Sequence, residues 1–159
     1  MTRIAITGHR GLPDASTRLV DAALRAALAE NADGQLVGVS CIADGADTLF
    51  ARAVLDAGGR LVVVVPARQY RDGLPADHHP VYDALIAHAS DVIRLDHEES
   101  TSTAHMDASI RMLDGADRLM AVWDGQPARG YGGTADVVDA ARQRGLPVTV
   151  VWPDGATRD

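Results

Sequence analysis

Residues 36–66 read LVGVSCIADGADTLFARAVLDAGGRLVVVVP, and this stretch decides the fold. Leu36–Ser40 is short, apolar and β-branched, the composition of a strand. A small, polar turn follows, Ile42-Ala43-Asp44-Gly45-Ala46-Asp47, and then Asp47–Ala57 carries apolar residues at helical spacing. Two glycines stop that helix, and Arg60–Val65 contributes LVVVV before Pro66 ends the run. A continuous apolar strand of this kind fits a central parallel strand covered on both faces. Strand, Gly-containing turn, helix and strand in about thirty residues make one right-handed crossover unit.

Working outward, the same alternation covers the chain. Arg3–Thr7 reads as a strand, and Ala15–Glu30 as a helix with Leu19, Val20, Ala23, Leu24, Ala27 and Leu28 on one side. Ala67–Asp77 is polar and Pro/Gly-bearing, which suggests a loop or lid before a helix near His79–Ala89. Asp91–Leu95 reads as a fourth strand, and Ser100–Thr103 offers N-caps for a helix to about Leu113. Arg118–Trp123 is a fifth strand, Thr134–Arg144 a helix and Pro147–Trp152 a sixth strand. The expectation is a single α/β domain over residues 1–159. It is a doubly wound, mainly parallel Rossmann-like sheet of about six strands with helices on both faces.

Composition narrows the chemistry. All 15 basic side chains are Arg, which removes Lys-based Schiff-base and P-loop chemistry and leaves Arg or backbone N–H groups to hold any anion. The net charge of -7 argues against nucleic acid as a partner, because a phosphate-backbone binder needs a basic face. Cys41 stands alone, so no intrachain disulfide can form. His78 and His79 would diverge on a helix, and no other group of side chains has metal-ligand spacing. No apolar run is long enough to span a membrane, and the first residues lead directly into a strand. A cytoplasmic protein without a membrane partner is expected.

In doubly wound sheets, ligands bind beyond the carboxyl ends of the strands. Three strand-end loops are therefore the candidate site. In the first, Gly8 permits close backbone approach, and His9 and Arg10 can reach a phosphate. In the second, Gly45 and Ala46 lie at a helix start where exposed N–H groups favour an anion. There Asp44 can cap or bind a ribose hydroxyl, while Asp47 is read as a cap. In the third, Gly130, Tyr131, Gly132, Gly133 and Thr134 follow the strand ending in Trp123-Asp124 and open a helix whose dipole attracts phosphate. Pro66 and Arg111 complete the ligand set. Asp136 and Asp44 are the candidate catalytic carboxylates. The three loops require no cofactor, leave room for a nucleotide ligand and should converge their amides on one anion.

Taken together, Thr7-Gly8-His9-Arg10, the stretch 38–67, RMLDGADRLMAVWDG (111–125) and GYGGTADVVDAARQRGLPVTVVW (130–152) resemble the SLOG superfamily of Rossmann-like domains. That superfamily includes the DNA-processing Smf/DprA proteins, the LOG phosphoribohydrolases and small YspA- and YpsA-like proteins. The resemblance implies a nucleotide or nucleotide-derived ligand, sensed or processed, and a homo-oligomer. It does not transfer the LOG chemistry. That group carries P-G-G-x-G-T-x-x-E and an upstream Arg-Lys pair, whereas alignment on Gly133-Thr134 puts Val137 at the Glu position, and alignment on Met112 and Asp117 puts Ala108-Ser109 at the pair. The alternatives are thus a nucleoside 5′-monophosphate N-glycosidase with a carboxylate in another place, or a DprA-like DNA-handling module, which the acidic balance disfavours.

Overall fold

A computed structural model describes residues 1–32 and 34–158. Six strands form one sheet: β1 (Thr2–Gly8), β2 (Leu36–Ser40), β3 (Arg60–Val65), β4 (Asp91–Arg94), β5 (Arg118–Val122) and β6 (Val148–Val150). Between them run α1 (Asp14–Asn31), α2 (Ala46–Asp56), α3 (His79–His88), α4 (Ser102–Leu113) and α5 (Thr134–Gln143). The sheet order is β4-β3-β2-β1-β5-β6, and every neighbouring pair is parallel. The sheet is therefore wholly parallel rather than mainly so.

The crossovers run outward from β1 in two directions, so the order switches between β1 and β5. Gly8 and Val122 are register partners at the carboxyl end of that pair. The loops that leave them part to opposite sides and open a crevice.

Two apolar layers cover the sheet. Ile4 and Ile6 of β1 meet Val20, Leu24 and Leu28 of α1 and Leu49, Phe50 and Val54 of α2 on one face. Ala5, Val37 and Val39 point to the other face, toward Ala108 and Met112 of α4 and Val137, Val138 and Ala141 of α5. The alternation along β1 is the period-two signature of a strand buried on both sides. Gly38 of β2 is required by packing. A Cβ there would stand 2.5 Å from Val54 Cγ2 and 3.0 Å from Phe50 Cε1, so glycine lets α2 lie directly on the strand.

Segment 67–77 is an ordered connection rather than a structureless loop. It holds two single 3₁₀ turns, Arg71–Gly73 and Ala76–His78, and buries Tyr70 and Leu74. Backbone bonds from Arg68 to His97 and from Gln69 to Glu98 fix it to the loop after β4. His78 Nε2 lies 3.0 Å from the Ile42 carbonyl oxygen and 3.5 Å from Thr48 Oγ1, which ties the start of α3 to α2. At α4 the cap is Thr101, whose Oγ1 accepts from the Ala104 N–H at 3.1 Å.

Candidate functional site

The crevice at the switch point contains a cavity of about 270 Å3. Gly8, His9 and Arg10 enter from β1; Cys41, Ala43 and Asp47 from β2 and α2; Pro66 and Tyr70 from β3. On the far side stand His105, Ser109 and Met112 of α4, then Arg129, Gly130, Gly132, Gly133, Thr134 and Ala135 at the start of α5. Arg158, beyond β6, reaches in as well.

His9 is the hub of the cavity wall. Its N–H donates to the Val122 carbonyl at 3.2 Å, and its own carbonyl accepts from the Ala46 N–H at 3.2 Å. The ring is buried. The Asp124 N–H donates to Nε2 at 3.1 Å, Thr134 Oγ1 is 3.4 Å from Nδ1, and Trp152 packs edge-on at 5.5 Å. Burial, then the charge of Arg158, lowers its pKa below the ordinary histidine value against the opposing pull of Asp124. That direction favours the uncharged ring.

Asp47 lies in the cavity wall, half-buried. Desolvation lifts its pKa from the ordinary 3.8 to about 7, against a hydrogen bond from the Ala43 backbone and the charge of Arg10. It was expected as the cap of α2, but the capping residue is Gly45, with φ +88°, and no side chain caps the helix. The other polar neighbours are quiet. Cys41 is pushed well up by burial and packs its Sγ 3.7 Å from Met112 Sδ. His105 is lowered by burial and by Arg10, and its Nε2 lies 2.7 Å from Ser100 Oγ.

Of the sequence candidates, Gly8, His9, Arg10, Pro66, Gly130, Gly132, Gly133 and Thr134 line this cavity. The others do not, each for a local reason. Asp44 pairs with Arg10, whose Nε and Nη2 donate to Oδ1 at 2.9 and 2.8 Å. Gly45 and Ala46 support His9 from below: a Cβ on Gly45 would lie 2.7 Å from the His9 oxygen, and the Ala46 N–H is already used there. Asp124 sits behind His9, and Trp123 donates Nε1–H to the Gln126 carbonyl at 2.8 Å under the Arg142 guanidinium. Tyr131 projects outward, exposed. Arg111 stands with Asp96, His97, Asp107 and Asp114 around a separate depression. Asp136 is a structural carboxylate, because its Oδ2 accepts from the Gly132 N–H at 2.9 Å and holds the loop before α5.

The expected convergence of the amides of residues 8, 45 and 132–134 is only partial. Gly45 lies outside the cavity lining, and the amides of Gly132 and Gly133 are bonded to Asp136 Oδ2 and the Gly130 carbonyl. Those of Thr134 and Ala135, the first two residues of α5, have no acceptor inside their helix and lie at the cavity wall. Gly8 also serves another purpose than the one expected: a Cβ would meet Ala46 Cβ at 2.5 Å and Val122 Cβ at 2.8 Å, so it admits α2 and β5, not a ligand. Asp47, Tyr70, His105, Arg129 and Arg158 belong to the cavity and were not singled out as ligand groups. Position in a strand-end loop pointed to Asp47, while nothing in the local sequence marked Arg158.

Comparison with known proteins follows the geometry. No family model matches the sequence, and no curated protein matches it. Solved structures do. DprA from Streptococcus pneumoniae superposes with a TM-score of 0.67 at 17% identity, over 94% of this chain and 50% of that one. DprA from Helicobacter pylori, a structure describing a single-stranded DNA binding mode, gives 0.66 at 16% identity over 99% of this chain and 68% of that one. The chain shares the Rossmann-like fold of these structures. A Moco carrier protein from Chlamydomonas reinhardtii gives 0.58 at 16% identity, over 94% of this chain and 75% of that one. The chain thus spans half the length of the pneumococcal DprA. The low expectation of nucleic acid, drawn from net charge, finds no support among these neighbours. Among the described residues no helix is long and apolar enough to cross a membrane, and no group of His, Cys, Asp and Glu could hold a metal ion.

Proposed function

We propose that the cavity binds a nucleoside 5′-monophosphate, or a ligand of the same build, with its phosphate over the first turn of α5. The observation that carries this is the pair of N–H groups at Thr134 and Ala135, unused inside the helix and placed at the cavity wall. Arg10, Arg129 and Arg158 line the same space and supply positive charge. A volume of about 270 Å3 is at the lower edge of the ~300–1,000 Å3 usual for small-molecule sites, which favours a mononucleotide over a dinucleotide. Titration calorimetry with AMP, CMP and adenosine tests the reading. AMP or CMP should bind, and adenosine, lacking phosphate, should bind at least about tenfold more weakly. Equal affinity for adenosine and AMP refutes the phosphate assignment. A single-stranded oligonucleotide belongs in the same titration because of the likeness to the DprA proteins. If it binds and the mononucleotides do not, the DNA reading replaces this one.

Asp47 favours a second reading, hydrolysis of the N-glycosidic bond. A carboxyl with its pKa near 7 can hold a proton at neutral pH and give it to a departing base while water adds to the sugar. Free base released from AMP or CMP by the protein, and lost in Asp47→Asn, would support turnover. Binding without release leaves the protein a sensor.

A further inference from the structure

The segment after β6 folds back across the carboxyl ends of the strands. Its path is fixed at Ser16, a buried residue in the first turn of α1, whose Oγ accepts from the Thr157 N–H at 2.8 Å and lies 3.4 Å from Thr157 Oγ1. Farther back, Gly155 packs beside Leu19 and Trp152 against the His9 ring. The next residue, Arg158, reaches the cavity with its side chain only 15% exposed.

There its charge is poorly matched. Nη1 lies 3.0 Å from both ring nitrogens of His9, and among the described residues its one carboxylate contact is Asp124 Oδ2 at 3.4 Å. More exposed arginines of the same chain are paired better. Arg71 holds Asp83 through two bonds of 2.8 Å, Arg144 holds Asp114 at 2.7 Å, and Arg68 holds Asp96 and Glu98 at 2.9 and 3.0 Å. A guanidinium held out of water without a close carboxylate is costly unless an anion completes it. Thr134 Oγ1 and Arg158 Nη1 both approach His9 Nδ1, at 3.4 and 3.0 Å, so one phosphate could touch the start of α5 and this guanidinium together.

We propose that the segment after β6 is a strap that completes the anion site, with Arg158 as a ligand-phosphate residue and Ser16 as the anchor that positions it. The inference rests on the phosphate reading of the cavity. It adds that the site is assembled from both ends of the chain, so that undocking the strap would weaken the ligand.

The experiment is a titration of wild type, Arg158→Gln and Ser16→Ala with AMP, adenosine and inorganic phosphate, with melting curves on each variant. Arg158→Gln should bind AMP and phosphate about tenfold or more weaker, as expected for loss of a charge-assisted bond, and adenosine unchanged. Ser16→Ala, which keeps Arg158, should weaken AMP and phosphate in the same direction. The strap is overturned if wild type binds AMP and Arg158→Gln binds it equally well, or if adenosine falls by the same factor as AMP. If Ser16→Ala melts as wild type does and binds AMP undiminished, the anchor role is overturned. If wild type binds neither AMP nor phosphate, the phosphate reading itself fails and takes the strap with it.

Discussion

Asp47→Asn should make the protein more stable at alkaline pH and leave it unchanged in acid. The wild-type carboxyl titrates at about 7 in the folded protein, against ~3.9 for an unfolded chain. Below about pH 4 it is protonated in both states and contributes no difference. Between about 4 and 7 the unfolded chain gives up its proton while the folded protein retains it, so stability falls as pH rises and levels off above about 7. Moving a carboxyl from 3.8 to about 7 corresponds to about 4 kcal/mol if water is wholly excluded. Residue 47 keeps partial exposure, so an effect of about 2 kcal/mol is the realistic size. Asparagine keeps an oxygen for the Ala43 backbone bond and cannot ionise. Urea unfolding of both proteins from pH 4 to 9 should give curves that coincide at pH 4 and part by about 2 kcal/mol at pH 8, or about 4–8 °C in Tm, with the variant higher. Parallel profiles across the range would refute the desolvated carboxyl. A variant less stable at pH 8 would show that the charge is compensated in the folded state.

Gly8→Ala should cost about 1–3 kcal/mol by thermal unfolding, because the new methyl falls 2.5 Å from Ala46 Cβ; an unchanged midpoint would refute the close approach of α2 to β1. Asp136→Ala should lower stability by about 1–3 kcal/mol through loss of its bond to the Gly132 amide, and it should weaken AMP by loosening the loop. If AMP is turned over, release of base per bound AMP should be unchanged in this variant; selective loss of turnover would restore Asp136 as a reacting group. Arg158→Gln in the ligand-free protein should raise the His9 pKa, since it removes a positive charge beside the ring. Proton NMR of the histidine ring resonances reads this directly, and an unmoved or lowered midpoint would place Arg158 elsewhere.

The sheet was legible because each strand is short, apolar and bounded by glycine, proline or polar residues. LVVVV at 61–65 needs two covering layers wherever it is found, and the helical spacing in α2, which packs on β3, supplies one of them. Strand order was not legible. It depends on which crossovers turn right and which left of β1, and no local residue pattern records that choice. The general rule pointed to the loops at the carboxyl ends of the strands, and parts of all three line the cavity there. Which side chains face inward within those loops was not legible, because a loop has no period. Asp44 and Asp47 are three residues apart in one polar turn, yet one is claimed by Arg10 and the other faces the cavity.

Glycine shows the limit most clearly. Gly8, Gly45 and Gly132 were all read as places where a ligand approaches the backbone. In each the missing Cβ is instead replaced by the protein itself: Ala46 and Val122 at Gly8, the His9 backbone at Gly45, and the Ser102 carbonyl oxygen, 3.1 Å away, at Gly132. The absence of a side chain signals close approach, but the sequence does not say of what. The consequence for the site is nevertheless favourable. Packing α2 onto Gly8 brings Asp47 to the cavity, and tying Gly132 to Asp136 sets the first turn of α5 with its unused amides at the opposite wall. The glycines thus shape the cavity at one remove, by bringing together two helix starts that a larger residue at either place would hold apart.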